Sequence, residues 1–132
     1  MGSAVKVYTA TLVAFLIIDG AWIGLIARGI YKDALGSLMR EQPGVIAALS
    51  FYLIYAAGMV FFAVTPAREQ TSIAIAVTNG AFLGVLAYGT FSVTNFAVLK
   101  AWTPMLLVTD VIWGAVVTAA SSAAGYFVAT HS

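Results

Sequence analysis

Two aspartates stand inside apolar runs, and each is followed three residues later by a tryptophan: Asp19 and Trp22 in DGAW, Asp110 and Trp113 in DVIW. At that spacing an acid and an indole share one helix face. A carboxylate kept from water can bind a cation, hold a proton or tie helices together, and an indole face attracts cations. Tyr88, Ser92 and Asn95 fall at i, i+4 and i+7, a single stripe on a helix. Tyr52 and Tyr55, with Ser50, supply further hydroxyls. Other chemistries lack their residues. There is no cysteine, which removes disulfides and thiolates, and the lone histidine, His131, sits in the C-terminal tail. No metal site built on His or Cys is therefore expected. Asp, Tyr and Asn could do acid–base work, but no nucleophile set accompanies them. Catalysis is the weakest of the functional readings, and no catalytic residue is assigned.

The elements that must position these groups are set by where charge is missing. The chain is 62% hydrophobic and 8% charged, against about 25% charged in soluble domains. Asp19 is the only charge between Lys6 and Arg28; none lies between Glu41 and Arg68, nor between Glu69 and Lys100. A spanning helix needs about 20 apolar residues. The spacing predicts an all-α, integral membrane four-helix bundle in one domain, 1–132, with helices near 7–27, 45–64, 72–97 and 105–128. The runs are continuous, without the alternation of a β-barrel. The first apolar stretch is too long for a signal peptide and has no convincing cleavage site, so it is expected in the mature protein.

The 28–43 connection mixes Ile30, Leu35, Leu38 and Met39 with Lys32, Asp33 and Arg40. It is expected to form a short interfacial helix between helices 1 and 2, near 30–41. Pro43 is expected to open helix 2, Pro66 to end it and Pro104 to open helix 4. Arg28, Lys32, Arg40 and Lys100 flank one face of the membrane, and Lys6 and Arg68 the other. The positive-inside rule then places both termini outside the cytoplasm. At 1.5 Å per residue Asp19 lies roughly 13 Å before Arg28, and Asp110 roughly 15 Å after Lys100. The two acids thus share one depth below one face, where helix 3 brings its 88/92/95 stripe and helix 2 its tyrosines. Trp102, beside Lys100, reads as an interfacial anchor. Gly20/Gly24 and Gly80/Gly84 each make a GxxxG, read as close-packing surfaces.

Four stretches carry a resemblance: IDGAWIGLIARGIYKDALG (18–36), FYLIYAAGMVFFAVTPA (51–67), AYGTFSVTNFAVLKAW (87–102) and TDVIWGAVVTA (109–119). Together they resemble a family of small four-helix bacterial membrane proteins catalogued only as a domain of unknown function. The resemblance implies a bacterial inner membrane, and an acid in relatives where this chain has Ser92. It brings no activity, cofactor or substrate.

A lipid-facing carboxylate costs about 2.5–3.5 kcal/mol on insertion scales. Asp19 is therefore expected to face inward and meet Asp110, Tyr88 and Asn95 in a polar pocket with Trp22, Tyr52, Tyr55, Ser92 and Trp113. Two ionised acids would repel, so the pair is expected to share a proton or be bridged by a cation. Such a pocket could bind or transport a small cation, a proton-coupled solute or an amphipathic ligand. The alternative is a structural or accessory subunit, or a lipid-binding partner of a membrane enzyme complex, with each acid serving as hydrogen-bonding glue or snorkelling toward Arg28 or Lys100. Expected partners are the lipid bilayer and a homodimer mate or membrane protein; the near-zero net charge argues against nucleic acid.

Overall fold

The computed structural model describes residues 2–38 and 44–131. Four helices are long and apolar enough to cross a membrane: α1 (Ser3–Leu38), α2 (Val45–Gln70), α3 (Ile73–Val98) and α4 (Pro104–His131). No strand occurs among the described residues. Within the spans large apolar side chains cover the outward faces of the helices, as contact with lipid requires. Large side chains such as Leu25, Ile46 and Phe82 point outward.

Small residues decide how the helices pack, because lipid supplies no hydrophobic drive between them. The tightest seam joins α3 to α4. A methyl group on Gly84 would collide with the Gly114 carbonyl, and one on Gly80 with Ser122 Oγ and the α4 backbone. α1 joins α4 where Gly125 receives Thr11. Near the chain ends Val7, Val64, Ala67, Ala76, Tyr126 and Ala129 form a core cluster, so both termini lie at one end of the bundle. Gly20 and Gly24, in contrast, meet nothing within 4 Å. The 80/84 pair is thus a packing surface, and the 20/24 pair is not one within the chain.

α1 does not stop at Arg28. It passes from α-helix (Gly2–Trp22) through a π-helical segment (Ile23–Ala27) into α-helix again (Arg28–Leu35), then a 3-10 turn (Gly36–Leu38). The amphipathic helix expected after residue 28 is present, but as an unbroken extension of α1. Arg28 and Lys32 mark a change of solvent, and nothing in them interrupts backbone hydrogen bonding. The helix ends at Gly36, whose φ of 53° suits a residue without a Cβ. Met39, Arg40, Glu41 and Pro43 lie outside the described residues.

Pro66 does not end α2 either, which runs on to Gln70. The turn before it is π-helical (Val60–Val64), with the Thr65 N–H bonded to Val60 O. The Phe62 carbonyl, which an N–H at 66 would reach in a regular α-helix, accepts Asn79 Nδ2 from α3 at 3.1 Å. α2 stops instead at Thr71, in the left-handed region with φ 51°, where the Ser72 N–H returns to Ala67 O at 3.0 Å. Pro104 opens α4 as expected, with Thr103 Oγ1 accepting the Leu106 N–H at 3.1 Å.

Candidate functional site

The end of the bundle away from the termini is built differently. Val45–Met59, the first part of α2, packs against α1 through Phe15, whose ring meets Tyr52 and Tyr55 edge-on. Its tie to α3 is the Tyr55–Tyr88 contact, with ring centroids 6.2 Å apart. Toward the 1–2 and 3–4 connections α2 stands off, leaving a half-open cavity of about 850 Å3 with lining residues from all four helices.

Asp19 and Asp110 both line that cavity. Asp19 is only 4% exposed. Its Oδ1 accepts the Trp113 indole N–H at 2.8 Å, and its Oδ2 accepts the Tyr52 hydroxyl at 2.9 Å. The two DxxW segments interlock: the tryptophan after Asp110 bonds the acid of the other segment, and Trp22 stacks on Trp113 with centroids 4.4 Å apart. Asp110, 6% exposed, accepts the Tyr31 hydroxyl on Oδ1. Its Oδ2 is buried with no hydrogen-bond partner of good geometry, although the Ser92 hydroxyl stands beside the carboxyl.

Of the residues expected in one pocket, Asp19, Trp22, Tyr52, Tyr88, Asp110 and Trp113 line the cavity. The other three do not. Tyr55 belongs to the buried cluster around Phe15 and Met59, and its hydroxyl meets Thr118 Oγ1 at 2.8 Å. Ser92 lies behind Asp110 and accepts the Trp102 indole N–H at 2.9 Å. Asn95, half-buried, is a further turn along α3 and outside the lining. The stripe is real, but the cavity is shorter than the stripe because Trp102 covers its end. That tryptophan is buried between Phe91 and Tyr31 and is no exposed interfacial anchor.

Tyr31 and Arg28 were not singled out by sequence as parts of the pocket, yet both line it. Twelve residues of regular α-helix would leave Tyr31 about 120° around α1 from Asp19. The π segment advances less per residue, since its bonds run i to i+5, and swings Tyr31 back toward Asp110. The available signal was the absence of any breaker before Gly36. Arg28 is exposed at the rim of the cavity. Among the described residues no group of three His, Cys, Asp or Glu side chains could hold a metal ion.

A four-helix chain with two buried acids and this helix order can be compared with known families. Residues 4–127 match the sequence profile of a family described as "Predicted membrane protein (DUF2177)". The chain belongs to that family. Neither a curated protein nor a solved structure matches it. Membership makes the chain a multi-pass membrane protein of a family whose function is unknown, in agreement with the four spans.

Proposed function

We propose that this protein is an intramembrane binding protein whose cavity takes a small cation, a proton-coupled solute or an amphipathic ligand. One observation carries the reading: the two acids within the spans converge on one cavity of about 850 Å3. Ligand pockets run from about 300 to 1,000 Å3 and are mostly apolar with a few placed polar groups, as here. Buried carboxylates are costly in lipid and are commonly found where they face a site or a wet cavity. The excess of Lys and Arg beside the cavity end supports a cytoplasmic position for it, with both termini on the opposite side, in what the resemblance implies is a bacterial inner membrane. Passage across the membrane would require a route beyond this one end, and so a second copy or a membrane partner.

Native mass spectrometry from lipid nanodiscs tests the reading. The wild type should retain a non-protein species that Ala48→Trp, which fills the cavity, and Asp110→Asn both lose. If all three carry nothing, or the same species equally, the cavity is no binding site. A second reading has its own support, because both Asp19 oxygens are already occupied by donors from α2 and α4. That is what a structural tie in an accessory subunit needs. Asp19→Asn would then preserve assembly with a partner.

A further inference from the structure

The lining of the cavity narrows the class of ligand, on the premise that it is a binding site. We propose that the ligand is a singly charged amphipathic cation, with an ammonium-type head beside Asp110 and an apolar tail leaving between α2 and α3.

Charge is the first argument. The lining carries two carboxylates, Asp19 and Asp110, and one guanidinium, Arg28. With both acids ionised, the state a bound cation favours, that leaves one negative charge for a ligand to offset. Asp19 has a donor on each oxygen, whereas Asp110 keeps one oxygen without a well-placed partner. Asp110 is therefore the less fully bonded of the two acids lining the cavity, although its unpartnered oxygen is buried and has the Ser92 hydroxyl beside it. No ion pair occurs among the described residues that would neutralise either acid from within.

The walls are the second argument. Tyr31, Tyr52, Tyr88 and the stacked Trp22–Trp113 pair surround the acids. Ring faces attract cations most strongly where water is excluded, and they are the usual walls of quaternary-ammonium sites. A bare metal ion would want several oxygen ligands, and among the described residues no group of three His, Cys, Asp or Glu side chains comes together to supply them.

The opening is the third. Beyond the Tyr55–Tyr88 contact, Phe51 on α2 and Phe91 on α3 both line the cavity while remaining 46% and 54% exposed. They form apolar lips at bilayer depth, where an acyl or alkyl tail can lie without leaving hydrocarbon.

Dodecyltrimethylammonium, dodecyl phosphocholine and dodecyl glucoside share a tail and differ in head charge, so saturable quenching of tryptophan fluorescence in nanodiscs can compare them. The cation should bind about tenfold tighter than the glucoside, as one desolvated cation–π and charge contact would give. Asp110→Asn should abolish the preference while retaining glucoside binding, which also reports an intact cavity. Asp110→Glu should restore the preference. Equal saturable binding of cation and glucoside would overturn the cation class and leave the binding site standing. Tighter binding of the phosphocholine would overturn it in favour of a zwitterion held by Arg28. Saturable binding of none would overturn both the inference and the binding reading beneath it.

Discussion

The two ends of the bundle differ in what their interhelical bonds reach: backbone carbonyls at the terminal end, buried carboxylates at the other. At the terminal end several hydroxyls bond their own helix, as Thr11 does to Val7 O at 2.8 Å and Thr130 to Tyr126 O at 3.2 Å, while Tyr8 and Asn79 reach across to the Leu53 and Phe62 carbonyls of α2. Gly80 and Gly125 there bring α4 close to α3 and α1, and Gly84 continues the α3–α4 seam toward the middle. At the other end polar groups bond between helices: Trp113 and Tyr52 to Asp19, Tyr31 to Asp110. Bulky rings line the space between the helices there, and a cavity remains. Gly24 belongs to that end and touches nothing, whereas Gly84 touches a backbone. Since lipid supplies no hydrophobic drive between helices, the placing of small and aromatic residues decides which end closes.

The contrast can be broken hardest at the α3–α4 seam. Gly84→Leu should destabilise the protein by about 3 kcal/mol or more in thermal unfolding in detergent, because its first clash is with backbone that cannot turn aside. A stable variant would mean that the seam is looser than described. Next comes Asp19→Ala, which leaves the part-buried Trp113 and Tyr52 donors without their acceptor and should cost about 1–2 kcal/mol, the upper range for hydrogen bonds between membrane helices. Asp19→Asn, keeping one acceptor, should recover part of that loss.

Smaller effects sharpen the picture of the open end. Tyr31→Phe removes one interhelical bond and should cost about 0.6 kcal/mol, while altering ligand binding at Asp110 more than stability. Gly24→Ala should lie within about 0.5 kcal/mol of wild type in the same melts, since a methyl there meets open space. A large loss would place Gly24 in a contact between copies of the chain.

The spans were legible because charge punctuates them: 72–97 and 105–128 as read from sequence fall on Ile73–Val98 and Pro104–His131. The convergence of Asp19 and Asp110 was legible too, since an even number of crossings returns both to one face. Three things were not. Arg28 and Lys32 report where water begins, and a helix crosses that boundary without breaking, so α1 was read too short. The π segments at Ile23–Ala27 and Val60–Val64 leave no trace in a 3.6-residue period, and with the first of them went Tyr31. Helical phase alone also placed Ser92 and Asn95 beside Tyr88. It could not foresee that Trp102, from a connection outside the helices, folds back and closes the cavity short of them.

The central claim is that both acids belong to one pocket, joined by the Trp113–Asp19 bond across α1 and α4. Solid-state NMR in lipid bilayers can read it directly, from 15N-indole to 13C-carboxyl transfer in protein labelled at Trp and Asp. With Nε1 and Oδ1 2.8 Å apart, the bond predicts strong transfer at short mixing times, lost in Trp113→Phe and retained in Trp102→Phe. No transfer, with the Asp19 carboxyl showing contacts to lipid methylene protons instead, would contradict the pocket.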